Sequence, residues 1–229
     1  MAGQSGSGGG EVPLRPELDL AALGEIFGTW TACDEMTPEV ARTIGQRAAS
    51  ADTVTETEYV TNLGAMLGGD WPAGDLRITG VSVETGRRAV WTSSSGVPLE
   101  RAVAASCSVP GMFPPVHVGE EAFVDGGVWS GSNADALLGS GVDAAVFVGP
   151  LVGDTGLGRV SGLALERERK LLADEGIPLL DVVPGTRFAA FGQDLMNPAH
   201  RAAALDVGRA DGADAADRLR DVLSEPPSR

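Results

Sequence analysis

Two short apolar segments separated by one helix-length segment constrain the fold of this 229-residue chain more than any other feature. The segments are VDAAVFVGP (142–150) and IPLLDVVPG (177–185). A continuous apolar run is typical of a strand covered on both faces, so we predict a buried strand in each. A long helix is predicted between them, over about residues 161–175. This alternation of strands and helices indicates a three-layer α/β domain.

The rest of the chain adds helices before these strands and after them. Apolar residues at helical spacing predict the N-terminal helices, and alternating apolar residues around Glu84-Thr85-Gly86 predict a β-hairpin. In chain order, we predict helices over 20–27, 38–51 and 56–67, the hairpin over 76–91, a helix over 99–106, a strand over 122–125, a helix from Ser132 or Asn133 to Gly141, and helix again in the C-terminal part.

The charge balance bears on which partners are expected. The chain carries 17 Lys and Arg against 32 Asp and Glu, for a formal net charge of -15. Such a chain is repelled by nucleic acid and by anionic headgroups, so no nucleic-acid partner is expected. The sequence has neither an apolar run near the ~20 residues of a membrane span nor a secretory signal pattern. We therefore expect no stable membrane insertion and a cytoplasmic location.

The Gly- and Ser-rich residues 1–10 predict a flexible N-terminus, and residues 11–229 are expected to form a single domain. Cys33 and Cys107 are far apart and lack CxxC spacing, so neither a disulfide nor a zinc site is predicted. Cys107 is expected to be a small core residue. The aspartates also lack the spacing of a calcium loop or a two-metal cluster, so neither a metal nor a cofactor is expected. These aspartates are Asp125, Asp135, Asp143 and Asp154.

A carboxylate at the end of a predicted strand is the first candidate for chemistry. In AFVDGGVWSGSNAD (122–135), Asp125 follows an apolar run and precedes two glycines. Asp-Gly-Gly can be a simple turn. It can also present a general base at a strand end, where Gly126 and Gly127 allow a sharp turn and leave space for a substrate. A carboxylate can activate a serine hydroxyl without the help of a histidine.

Several spaced motifs surround this aspartate, between the hairpin LRITGVSVETGRRAVW and the tail MNPAHRAAALDVGRADG. They are Ala105-Ser106 ending a small-residue helix, the loop Phe113-Pro114-Pro115, the strand end Asp125-Gly126-Gly127, Asn133, and Gly141-Val142-Asp143 before an apolar strand. In content and order, these features resemble the catalytic region of bacterial patatin-like phospholipases, and the resemblance spans about residues 75–223.

The resemblance implies a Ser-Asp dyad hydrolase that acts on lipid acyl esters, with Asp125 as the base and Gly126 and Gly127 beside the substrate. The family's nucleophilic serine lies in a GxSxG turn, and a glycine-rich loop supplies oxyanion donors. Neither motif is recognisable in this chain. The nearest fragment is GQSGS (3–7), which nominates Ser5 as a degraded remnant or is simply a linker.

The resemblance also implies a patatin-like α/β/α sandwich that lacks its N-terminal strands. Such a domain is expected to expose strand edges, through which copies of the chain can pair. Two functions therefore stay open. The chain is either an acyl hydrolase, incomplete or inactive by itself, or a non-catalytic homologue that serves as a binding or assembly module.

Structural roles are expected for several other residues near Asp125. Ser106 and Ser108 are expected to cap or pack a helix end, and His117 is expected on a strand surface. The tryptophans are expected to anchor packing, although Trp129, four residues after Asp125, is an alternative candidate for lining an acyl pocket.

Overall fold

The structure is a computed structural model that describes residues 19–150, 153–154, 156–191 and 197–224. Ser5 and the Gly- and Ser-rich residues 1–10 lie outside the described residues. The helices are α1 (Leu20–Thr31), α2 (Pro38–Ser50), α3 (Glu56–Gly64), α4 (Leu99–Ser106), α5 (Gly156–Asp174) and α6 (Arg201–Ser224). The strands are β1 (Ile78–Ser82), β2 (Arg88–Trp91), β3 (Val116–Val118), β4 (Glu121–Asp125), β5 (Ala145–Val148) and β6 (Leu179–Val182).

Side-chain caps fix where the N-terminal helices begin. The Asp19 carboxylate accepts hydrogen bonds from the backbone amides of Ala21 and Ala22 at the start of α1. The Thr37 hydroxyl caps α2, whose first residue is Pro38. Proline suits this position because the first helical amide has no partner inside the helix. The predicted starts of these helices follow from these residues.

The first four strands form one antiparallel sheet in the order β2-β1-β4-β3. The β1–β2 hairpin is confirmed, with Ile78 opposite Trp91 and Val81 opposite Arg88. β4 lies on the other side of β1, where Gly80 is opposite Asp125. The end of β4 therefore lies beside the middle of β1, and this arrangement fixes the position of the Asp125 backbone.

Helices cover both faces of this sheet. On one face, α1 and α2 pack Ile26 and Ile44 against Val81 and Val124. On the other face, Phe123 packs with residues of α3 and α4, such as Tyr59 and Ala102. Because successive side chains of a strand point to opposite faces, Phe123 and Val124 belong to different cores. The described residues thus confirm the predicted α/β class.

The two apolar segments form a separate two-stranded parallel sheet, with β5 beside β6 and α5 between them in sequence. The expectation that β5 is covered on both faces is wrong. Val146 is 42% exposed and Val148 is 73% exposed. Ala145 is buried and packs near Leu165 and Leu179. Hydrophobicity alone could not show this, because an apolar run looks the same whether or not a neighbouring element covers its second face.

Two helix predictions also need correction. The helix expected from Ser132 or Asn133 to Gly141 is only a short 3-10 turn over Ala134–Leu137. Positive φ values at Asn133, Gly139 and Gly141 break the helical path there. The predicted helix over residues 161–175 begins earlier, at Gly156.

Candidate active site

Asp125 ends β4, and hydrogen bonds to neighbouring backbone groups hold both its amide and its carboxylate. Its amide donates a hydrogen bond to the Ser108 carbonyl oxygen at 3.0 Å. Its carboxylate Oδ1 accepts one from the Gly127 amide at 2.7 Å. Among the residues that the structure describes, no other group donates a hydrogen bond to this carboxylate. The second carboxylate oxygen is therefore open to a ligand.

Burial changes the acid strength of Asp125. The pKa of its carboxyl group rises from 3.8 to about 6, because burial disfavours the charged form, while the Gly127 amide acts in the opposite direction. Desolvation of a half-buried carboxylate is a common way to bring its pKa close to neutral pH. A carboxylate with such a pKa is suited to accept and return a proton.

The two glycines after Asp125 have different surroundings. They form a 3-10 turn over Gly126–Val128. Gly126 is buried, and a Cβ atom there would lie 2.1 Å from the Thr79 hydroxyl oxygen and 2.6 Å from the Thr79 carbonyl oxygen. A Cβ atom on Gly127 would meet only the Asp125 carboxylate, at 2.9 Å. Gly126 thus lets the turn pack on β1, and Gly127 lies next to the candidate base.

Asp125 opens into a small and mainly apolar cavity of about 240 Å³. Its walls come from α1, β5, α5 and the loops that follow α4 and β4. Trp30, Phe147 and Leu157 contribute large apolar side chains, and Gly127 and Ser161 also line the cavity. Gly126 is not part of this lining. The cavity therefore places one carboxylate beside a surface suited to an apolar group.

A polar network holds the loop that follows the two glycines. The Asn133 side-chain amide donates to the carbonyl oxygens of Gly126 at 3.1 Å and Ser130 at 2.6 Å. Asn133 takes a left-handed conformation, with φ of 48°, which asparagine tolerates better than most residues. Arg88 donates to the Asn133 side-chain oxygen at 3.1 Å and forms an ion pair with Asp135. Asn133 therefore links the turn after the base to β2.

A buried carboxylate of α5 holds the same loop from the other side. Glu168 is buried and accepts hydrogen bonds from the Ser132 hydroxyl at 2.5 Å and the Ala134 amide at 2.7 Å. A buried carboxylate needs such donors because leaving it unpaired is costly. The loop from Ser130 to Ala134 is thus fixed between the sheet and α5.

The other serine and cysteine candidates do not form a nucleophilic site. Ser108 is fully buried and its hydroxyl donates to the Pro114 carbonyl oxygen at 2.6 Å, so it packs the helix end as expected. Cys107 is exposed, and the expectation of a core cysteine is wrong. It follows the last helical residue of α4, and its carbonyl oxygen accepts a hydrogen bond from the Tyr59 hydroxyl at 2.8 Å.

His117 lies on the exposed surface of β3, as predicted, and its Nδ1 is 2.7 Å from a Glu56 carboxylate oxygen. Trp129 packs against the core formed with α1 and α2 rather than lining the Asp125 cavity. The tryptophan in that cavity is Trp30, which is 95 residues before Asp125 in sequence. The sequence offered no signal for that long-range contact.

The described part of the chain contains no cluster of three or more His, Cys, Asp or Glu side chains that could hold a metal ion. No helix among the described residues is both long and apolar enough to span a membrane.

The structure thus combines an α/β fold with a half-buried carboxylate at a strand end that faces a mainly apolar cavity. Residues 50–138 match the family model described as Patatin-like phospholipase. The resemblance to that family is therefore confirmed over this region, which includes Asp125, Gly126 and Gly127. The match supports a family of lipid acyl hydrolases. No curated protein matches the chain.

Proposed function

We propose that this chain is a patatin-like lipid acyl hydrolase homologue in which Asp125 is the base of a Ser-Asp dyad. The observation that carries the proposal is the Asp125 carboxylate itself. It ends a strand inside the matched region, faces an apolar cavity and has a pKa of about 6. An acyl chain in the cavity would lie beside a group able to accept the proton of an attacking hydroxyl.

The described residues support a base more strongly than a nucleophile. Ser161 is the only serine among those that line the cavity in the described part of the chain, and it lies within α5. A nucleophilic serine of this kind needs a sharp strand-to-helix turn that exposes its hydroxyl. Ser5, the remnant suggested by the sequence, lies outside the described residues. We therefore infer that the chain by itself is incomplete or inactive as an esterase.

We expect the purified chain not to hydrolyse short-chain p-nitrophenyl esters above the buffer background. The reason is that a base without an aligned nucleophile and oxyanion donors supplies little of the rate enhancement. The measurement is release of p-nitrophenol from the acetate and butyrate esters at pH 8, where Asp125 is ionised.

Two substitutions make this measurement decisive. Turnover that is clearly above background and disappears in Asp125→Asn would contradict the inactive state and support the base. Its loss in Ser5→Ala would identify the nucleophile. Turnover that survives both substitutions would show that the dyad assignment is wrong.

A second candidate function, that of an assembly module, is favoured by the exposed face of β5. Val146 and Val148 expose apolar surface on a strand of a two-stranded parallel sheet. Parallel sheets normally have both faces covered, and isolated strand pairs are marginally stable in water. We propose that a second copy of the chain covers this strand.

For assembly through β5, we expect Val148→Lys to convert a dimer or larger assembly into a monomer. The lysine places a charge on an apolar surface that pairing would bury. Light scattering coupled to size-exclusion chromatography at about 50 μM protein measures the mass. Val90→Lys is the matched control, because Val90 is also a partly exposed strand valine, at 38%, but lies on β2. A monomeric unsubstituted chain, or equal effects of both substitutions, would contradict assembly through β5.

A further inference from the structure

Ser161 is a mostly buried serine whose side chain lines the same cavity as Asp125. Ser161 lies on the inner side of α5, is 9% exposed, and lines the cavity. Within the described ranges, its hydroxyl forms no hydrogen bond, and its oxygen is not one of the fully buried polar atoms, so it is accessible from the cavity.

The missing bond is not explained by the helix. Hydroxyl groups inside helices commonly donate to the carbonyl oxygen four residues earlier. Thr29, Thr31 and Thr43 do so in this chain, at distances of 2.9, 2.7 and 2.9 Å. Ser161 makes no such bond to Leu157, which also lines the cavity. Its donor therefore stays available to a molecule inside the cavity.

Gly131 leaves room for this hydroxyl because it has no side chain. A Cβ atom on Gly131 would lie 2.3 Å from the Ser161 Oγ and 2.7 Å from its Cβ. Any larger residue at position 131 would displace the Ser161 side chain. Because Gly131 also lines the cavity, the hydroxyl lies at a wall formed by α5 and the loop after β4.

The cavity has the chemistry of a site for a short, neutral acyl compound. Trp30, Phe147 and Leu157 provide apolar walls, while Ser161 and Asp125 provide a donor and an acceptor. The cavity volume of about 240 Å³ lies below the roughly 300–1,000 Å³ of common ligand pockets, so the cavity suits a short acyl group rather than a long one. An ionised Asp125 repels a free carboxylate, so an uncharged ester or amide fits the site better than a fatty acid.

We propose that Ser161 is a substrate-positioning residue whose hydroxyl donates a hydrogen bond to the carbonyl oxygen of a short acyl ester or amide held in the Asp125 cavity. This inference rests on the proposed function, because it assumes that the cavity takes an acyl group. In this arrangement, the carbonyl group of the ligand lies at α5 and its acyl chain lies against the apolar walls. Ser161 forms no covalent bond in this arrangement.

The test is binding of hexanamide to the full chain, measured at pH 8 by ligand-observed NMR titration. Loss of one neutral hydrogen bond in Ser161→Ala is expected to weaken binding about tenfold. Benzene, which has no carbonyl group, serves as a second probe and should bind both proteins equally. Ser50→Ala is the matched control, because Ser50 is a helical serine whose hydroxyl donates to the Gln46 carbonyl oxygen outside the cavity. Thermal unfolding verifies that each variant is folded.

The outcomes separate this inference from the function on which it rests. Leu157→Phe, which fills the cavity, should abolish binding of both probes. If it does so while Ser161→Ala binds hexanamide as well as the unsubstituted chain, the role of Ser161 is overturned and the acyl cavity stands. An equal loss of benzene and hexanamide in Ser161→Ala also overturns that role. If hexanamide does not bind, or binds despite Leu157→Phe, both the inference and the acyl-binding cavity are overturned.

Discussion

Gly126→Ala is expected to lower the free energy of unfolding by roughly 3 kcal/mol, an upper value for overpacking in a well-packed site. The new Cβ atom would lie 2.1 Å from the Thr79 hydroxyl oxygen and 2.6 Å from the Thr79 carbonyl oxygen. A hydroxyl group can rotate away, but a carbonyl group of β1 moves only with the strand. For a domain of this size, a loss of this magnitude lowers the melting temperature by about 6–12 °C.

Gly127→Ala is the matched control, since it adds the same methyl group one residue later. Its Cβ atom would meet only the Asp125 carboxylate, at 2.9 Å, and that side chain can rotate. We expect a loss of stability below about 1 kcal/mol, in the range of ordinary substitutions. Chemical denaturation of both variants at pH 7 measures the difference. Equal losses, or a larger loss for Gly127→Ala, would contradict the packing of Gly126 on β1.

Gly126 and Gly127 also show how much of the site can be predicted from the sequence. A short apolar run followed by Asp-Gly-Gly predicted a strand ending at Asp125, and the strand does end there. The sequence also predicted that the glycines permit a sharp turn. It could not distinguish their roles, because the role of Gly126 depends on Thr79, which lies 47 residues earlier in the chain. Local pattern predicts where a turn occurs, and tertiary contact decides which glycine it requires.

For the fold as well, local features were predicted correctly and features that depend on tertiary contacts were not. Helix α4 was predicted with its observed limits because its apolar spacing and the proline and glycine after it are local signals. The coverage of β5 was predicted wrongly, because coverage depends on what packs against the strand. The turn after Asn133 was predicted as a helix, although Asn133 itself has a left-handed backbone and cannot continue one.

The cavity could not be predicted from the sequence, because the residues that line it are far apart in the chain. Asp125 and Gly127 lie within the region matched to the patatin-like family, at residues 50–138. Trp30, Phe147 and Ser161 lie outside that region but line the same cavity. The candidate base thus lies in the matched region, whereas several of the large apolar side chains that line its cavity lie in segments that the family model does not match.

Asp125→Asn is expected to stabilise the folded chain by roughly 2 kcal/mol above pH 6. Burial raises the pKa of this carboxyl from 3.8 to about 6. Between about pH 4 and pH 6, the carboxyl is therefore protonated in the folded state but ionised in the unfolded state. The stability contribution of Asp125 therefore falls as the pH rises from about 4 to 6 and stays low above that. The full shift corresponds to roughly 3 kcal/mol, and partial exposure of the carboxylate reduces the expected value.

Asparagine removes this titration, while its side-chain oxygen can still accept the hydrogen bond of the Gly127 amide. The stability difference between Asp125→Asn and the unsubstituted chain should thus be small at pH 4 and grow to a plateau above pH 6, as measured by urea unfolding at each pH. Asp75→Asn is the control, because the neighbouring Arg77 guanidinium lowers the pKa of the Asp75 carboxyl. Loss of the Asp75 carboxylate should destabilise the chain at neutral pH, an effect opposite in sign to that of Asp125→Asn. A destabilising or pH-independent effect of Asp125→Asn would show that the carboxylate is not desolvated and would remove the main physical support for Asp125 as a base.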